Sequence, residues 1–269
     1  MDMIFCPLYS GSSGNSLFVR YGQTSLLVDA GLSGRITLEA LKKIEVDPAS
    51  LNGLLVTHDH SDHIKGVGVL SRKLQLPVYA TEGTWRVIDK KCGDIAPECR
   101  RIIRAGEDFY VDQIGVEAFA TPHDAEEPVG FRMWGGALSV SVATDLGWMP
   151  QRVEDALAGS SLILLESNHD PDMLLRNPNY SSALKQRILS RHGHLSNETA
   201  SEKLVALAER GTHNFILGHL SGENNTPELA LQTSENRAEL EGLRLGEDIL
   251  IDLAWRDRVG SVYTLHDTL

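Results

Sequence analysis

The densest cluster of chemically capable side chains is THDHSDH, residues 57–63, which packs His58, His60, Asp62 and His63 into six residues. It directly follows the short apolar run GLLVT (53–57). Residues i and i+2 of an extended segment project to one side, so His58 and His60 can bind one ion together. A turn into a helix then aims Asp62 and His63 at a second ion nearby. Imidazole and carboxylate donors suit zinc, iron or manganese. A solvated polar loop would account for polarity here, but not for four potential ligands at one strand end.

Other segments repeat the sequence apolar strand, acid or histidine, then turn. SLLVDAG delivers Asp29, AFATPHD delivers His123, VSVATDLG delivers Asp145 and FILGHLS delivers His219. Residues at the carboxyl ends of neighbouring strands gather at one sheet edge, where sites form. The tetrapeptide GHLS occurs at 193–196 and again at 218–221, in different settings. His219 follows the apolar run NFILG and reads as a ligand delivered by a strand. His194 follows the charged segment SSALKQRILSRH and precedes a helix start with Ser196 or Asn197 as N-cap. Free backbone N–H groups at such a start favour a phosphate, and Lys185, Arg187 and Arg191 lie just upstream. A local cap or packing role for His194 is the plain alternative. Asn168 and His169, in LILLESNHD, are lesser candidates for substrate contact. The SGSSGNS loop, with Ser13 and Asn15, could form a backbone nest for phosphate or be a simple hairpin loop.

The elements that must position these residues are legible in outline. Strands are expected at 15–21, 24–30, 53–57, 77–80, 115–121, 129–134, 138–144, 162–166 and 214–218, with two more in DILIDLA and RVGSVYTL. Helices are expected at 33–44 with Ser33 as N-cap, at 64–74, from Pro150 to Leu157, and near 181–191 and 197–210. A further helix is expected at 226–240, with Thr226 at N-cap and Pro227 at N1. A strand-rich first half and a mixed second half suggest two packed sheets with helices outside, in an α/β chain.

Composition narrows the function classes. The chain has 269 residues, 42% of them hydrophobic, enough for a sizeable core in one domain spanning 1–269. The start has no basic n-region or signal-length apolar stretch, and no run approaches a membrane span. Three cysteines without zinc-site spacing point to a reduced, cytoplasmic setting. The net charge of −12 argues against non-specific nucleic-acid binding, although bound divalent cations are not counted in it.

With these motifs in order, the chain resembles the metallo-β-lactamase superfamily. THDHSDH fits the HxHxDH motif, and Asp29, His123, Asp145 and His219 fit the other motif positions. The resemblance implies a four-layer αββα sandwich and a dinuclear metal site. It assigns His58, His60 and His123 to one ion and Asp62, His63 and His219 to the other. Asp145 then bridges the two ions, and Asp29 orients ligands. The chemistry implied is hydrolysis of an ester, amide or phosphodiester by a hydroxide held between two ions, with Asp62 as proton acceptor.

Within the superfamily, Glu166 and His194 are similar to residues of the transfer-RNA 3′-processing nucleases that assist proton transfer to the leaving oxygen. The nearest likeness is to the bacterial YycJ/WalJ group, through PLYSGSSGNS, ESNHD, GHLSNE and HLSGENNTPELA. It implies DNA exonuclease activity, 5′ to 3′, with two zinc or manganese ions, a nucleic-acid partner and no organic cofactor. The SNHD stretch departs from the transfer-RNA enzymes, so their substrate is not carried over. The span between Asp145 and His219 leaves no room for a β-CASP insertion. His60 stands where oxygen-reducing diiron relatives carry an acid. A small-molecule ester or thioester hydrolase of the glyoxalase II type, and a non-enzymatic regulatory binding module, are the competing readings.

Overall fold

The computed structural model of the protein describes residues 1–267. In chain order its first elements are β1 (Met3–Tyr9), β2 (Ser16–Tyr21), β3 (Thr24–Val28), α1 (Gly34–Lys43), β4 (Leu51–Leu55), α2 (Ser61–Ile64) and α3 (Val67–Leu74). Next come β5 (Val78–Ala80), α4 (Glu82–Lys91), β6 (Arg100–Ile102), β7 (Asp108–Val111), β8 (Ile114–Ala120), β9 (Val129–Gly135) and β10 (Leu138–Ala143). They are followed by α5 (Gln151–Leu157), β11 (Leu162–Glu166), α6 (Pro171–Arg176), α7 (Ser182–Ile188), α8 (Asn197–Ala208), β12 (Asn214–Gly218), α9 (Pro227–Leu240), β13 (Leu250–Leu253) and β14 (Tyr263–Leu265). The strands form two seven-stranded sheets. No helix among the described residues is long and apolar enough to cross a membrane.

The chain divides into two compact units. The first holds residues 1–120, 125–139 and the described residues from 255 onward. Its sheet runs β14-β1-β2-β3-β4-β5-β6, antiparallel up to β3 and parallel from β3 to β6. Leu41, Leu54, Val67, Leu70, Trp85 and Ile88 belong to one buried cluster that joins α1, α3 and α4 to this sheet. Each such side chain contributes about 1.5–3 kcal/mol on burial. The antiparallel strands β7, β8 and β9 also lie in this unit.

The second unit holds residues 121–124 and 140–254. Strands β10, β11, β12 and β13 pair in parallel, and LILLE is buried along its whole length. Continuous apolar runs are the mark of parallel strands covered on both faces. α8 packs on β11 and against α5 and α9.

Several expectations are refined. The single helix expected at 64–74 is two, because the Gly66 N–H bonds the Ala30 carbonyl at 2.7 Å instead of continuing the helical ladder. A Cβ on Gly66 would lie 2.5 Å from the Leu32 carbonyl oxygen, so a larger residue cannot occupy this crossing. The strand expected in RVGSVYTL shrinks to Tyr263–Leu265. Its partner β1 meets Pro7, which has no N–H to donate, and Gly260 N–H reaches the Pro7 carbonyl instead.

Candidate metal centre

In the first unit, β4 ends and the chain stays extended: Val56 N–H bonds the Tyr79 carbonyl, and the Thr57 carbonyl accepts from Val129 N–H. His60 is the N-cap of α2, so the turn into this one-turn helix falls inside the HxHxDH motif. Asp29, directly after β3, has φ of 61°, a left-handed conformation that swings its carboxylate off the strand line. That carboxylate accepts from Thr57 N–H, from Thr57 Oγ1–H and from His63 Nδ1, each at 2.8 Å. Since Thr57 Oγ1 donates to Asp29, it accepts from His58 Nδ1 at 3.0 Å. Both imidazoles therefore carry their proton on Nδ1 and turn the lone pair of Nε2 outward, the tautomer a metal ligand needs.

The loop is clamped from beneath. Asn15 N–H bonds the Asp62 carbonyl, Gly31 N–H bonds the Asn15 carbonyl, and Ala30 N–H bonds the His63 carbonyl. A Cβ on Gly31 would fall 1.5 Å from the Asp62 carbonyl oxygen, so only glycine allows this crossing. The Asn15 amide also reaches His63 Nε2 at 3.0 Å, a bond that an ion on that nitrogen would replace. Asn15 is thus buried beneath the motif, whereas Ser13 on the same loop is exposed.

In the second unit, His123 Nδ1 donates to the Gly193 carbonyl at 3.1 Å, again leaving the lone pair on Nε2. Asp145 (φ 59°) and His219 (φ 56°) follow β10 and β12 in the same left-handed conformation as Asp29. Glu166 ends β11 and is fully buried. Its Oε1 accepts from His219 Nδ1 at 2.8 Å and from His194 Nδ1 at 2.9 Å. Its Oε2 accepts from Leu146 N–H at 2.9 Å and Leu195 N–H at 3.1 Å. Burial pushes this carboxyl up, but the charge of His194 and hydrogen bonds from His194 and His219 outweigh it and hold Glu166 far below the usual carboxylate range. For His194 burial pulls the other way, and Glu166 more than offsets it, raising the imidazole above its ordinary value.

Asp145, Glu166, His194 and His219 each offer a donor atom within 4.8 Å of the others. The Glu166 oxygens, however, already accept four hydrogen bonds. The donor set fits a divalent metal ion. Two donors on a tetrahedral ion bound at about 2.0–2.1 Å stand roughly 3.3 Å apart. His123 Nε2 lies 3.4 Å from an Asp124 oxygen and 3.6 Å from Asp145 Oδ1, and His63 Nε2 lies 3.7 Å from Asp62 Oδ2.

Behind the second group lies a buried amide network. Asn197 and Asn225 exchange side-chain hydrogen bonds at 2.9 and 2.8 Å, and Ser167 Oγ donates to Asn197 at 2.7 Å. Asn225 also donates to the Ser167 and Asn168 carbonyls, and Asn168 donates to the His219 carbonyl at 2.8 Å. Asn168 therefore holds the backbone of His219. Ser196 is the N-cap of α8 and accepts from Thr199 N–H. His169 pairs with Ser196 in an isolated bridge and is buried. Neither of its ring nitrogens has a hydrogen-bond partner among the described residues. Burial lowers its pKa to about 4, with Glu166 opposing and His194 adding to the shift. Sequence reasoning missed Thr57 and Asn225 and read Asn197 only as a possible N-cap; the recurrence of Asn in ESNHD, LSNET and GENNT was the available signal.

A family model described as a Beta-lactamase superfamily domain matches residues 24–220, which include Asp29 and every ligand candidate from His58 to His219. The chain is 40% identical over 247 residues to exodeoxyribonuclease YycJ of Bacillus anthracis, covering 92% of this chain and 93% of that one. The chain belongs to the β-lactamase superfamily, in the YycJ/WalJ family. Exodeoxyribonuclease WalJ of Streptococcus pneumoniae serotype 2 is 39% identical, with 91% of each chain covered. Among solved structures, the metallo-β-lactamase fold protein YhfI of Bacillus subtilis superposes with a TM-score of 0.73 over 98% of this chain and 100% of that one, at 16% identity. That likeness establishes the metallo-β-lactamase fold for the chain.

Proposed function

We propose that the chain is a metal-dependent phosphodiesterase that trims DNA from an end, in the 5′ to 3′ direction. The observation that carries this reading is the near end-to-end likeness to relatives named as exodeoxyribonucleases. The site residues support it. The proposed ligands are His58, His60 and His123 for one ion and Asp62, His63 and His219 for a second, with Asp145 shared, and zinc or manganese as the metal. Such ions, when bound, supply Lewis acidity toward a phosphoryl oxygen and lower the pKa of water.

The chain's own groups do the rest. Asp29 and Thr57 fix the tautomers of His63 and His58. Asp62 takes the proton of the attacking water. His194, whose protonated form is favoured by Glu166, gives a proton to the leaving oxygen. Glu166 touches no solvent and acts through His194 and His219, so it is a positioning residue. We further propose that residues 1–269 act as one domain in the cytoplasm, where the free thiols of Cys6, Cys92 and Cys99 stay reduced.

The test is a substrate panel. Protein loaded with manganese or zinc should shorten single-stranded or nicked DNA faster than it turns over RNA, a thioester or a lactam. Turnover of the thioester alone would replace this reading with the glyoxalase-type one.

A further inference from the structure

We propose that Trp148 and Arg191 clamp the terminal nucleotide of a single-stranded DNA end, Trp148 stacking the base and Arg191 holding a phosphate. The inference rests on the DNA reading above and names how the end is recognised. Trp148 stands three residues after Asp145 and is 41% exposed. Arg191 stands three residues before His194, and its guanidinium carbon lies 5.1 Å from the centre of the Trp148 ring. Three residues span at most about 11 Å, so both side chains start within a nucleotide's reach of a candidate site residue.

The two loops that carry them are locked together. A Cβ on Gly147 would sit 2.2 Å from the Arg191 carbonyl carbon and 2.4 Å from His192 N, so the backbones touch where only glycine fits. Leu146 N–H and Leu195 N–H, one from each loop, both donate to Glu166 Oε2. Gly147 N–H bonds the Pro122 carbonyl, and Asp124 N–H bonds the His192 carbonyl. The pair is therefore held in register with the Glu166–His194 group and does not drift as a surface loop would.

The neighbouring cations are already engaged. Lys185 donates to the Leu175 carbonyl and Arg187 to Asp124. Arg191 makes no ion pair among the described residues, and its guanidinium lies over the indole face. Trp85 is buried, Trp134 packs edge-on against Tyr110, and the comparable pair of Trp255 and Arg258 carries a tryptophan less exposed than Trp148. Every base has a π-face, so stacking is tolerant of sequence, which suits an enzyme that trims an end whatever its bases. In a chain of net charge −12, a single aromatic–arginine station supplies affinity locally.

The test uses manganese-loaded full-length chain and a short single-stranded oligonucleotide whose phosphorothioate end resists cleavage. W148A should bind it about 5- to 150-fold more weakly, and W148F should recover most of the loss. R191A should make the log–log salt dependence shallower by about 0.7. An oligonucleotide with an abasic terminal position should bind the parent as weakly as the intact one binds W148A, and W148A should not distinguish the two. A parent that cleaves DNA while W148A binds intact and abasic ends as the parent does would overturn the clamp and leave the DNA reading standing. A parent that binds no DNA would overturn both.

Discussion

Asp29 in the first unit and Glu166 in the second are both buried carboxylates at strand ends, and each accepts a hydrogen bond from a histidine Nδ1. Their partners differ. Asp29 serves His63 and the backbone and hydroxyl of Thr57. Glu166 serves His219 and His194 through one oxygen, and two backbone amides through the other. The first arrangement does one thing: it aims histidines proposed as ligands. The second couples a proposed ligand, His219, to a proposed proton donor, His194, on one carboxylate oxygen. Disturbing Asp29 should therefore be read in metal affinity, and disturbing Glu166 in both affinity and chemistry.

The largest effect should come from E166Q. An amide cannot accept from two imidazoles and two backbone N–H groups at once. The turnover number should fall about 10²- to 10⁴-fold, as when acid–base catalysis is lost, and metal affinity about 10- to 100-fold. A change in affinity with unaltered turnover at saturating metal would break the comparison, since Glu166 would then resemble Asp29. H194A should lower turnover by a similar factor of about 10²–10⁴ while leaving metal affinity alone, checked by single-turnover kinetics in excess metal.

His169 sharpens the comparison from within the second unit. Its pKa is lowered from 6.5 to about 4, so the unfolded chain binds the proton more readily than the folded one. Stability is thus intact above pH 6.5, falls as the pH drops from there toward 4, and levels off below, by about 3 kcal/mol in all. Urea unfolding across that window should be less pH-dependent in H169Q than in the parent. Equal pH dependence in both would contradict a buried neutral imidazole. The smallest effect should be D29N, with metal affinity weakened about 10- to 100-fold and turnover at saturating metal little changed. Titration against a competing chelator measures it.

Much of the fold was legible because periodicity and caps are local. LILLE and NFILG match β11 and β12 to the residue, and Thr226 with Pro227 opens α9 as expected. Other local signals went unread: Thr81 caps α4, and Asp170 with Pro171 opens α6. β1 was obscured by Pro7, which ordinarily argues against a strand and here coincides with a register shift. Around the candidate site, residue types at strand ends were readable, but their aim was not. Asp29, Asp145 and His219 adopt left-handed backbone, which Asp and His favour more than most residues but not strongly enough to mark the positions in advance. The amide pair of Asn197 and Asn225 joins residues 28 apart, a link that no local pattern encodes.

The central claim is that the two GHLS histidines, bound to the same Glu166 oxygen, have different work: His219 holds metal and His194 moves a proton. Elemental analysis of H219A and H194A, each equilibrated with zinc and desalted, tests it directly. The account predicts that H219A loses one of two ions and H194A keeps both. Loss of metal from both variants, or from H194A alone, would contradict it.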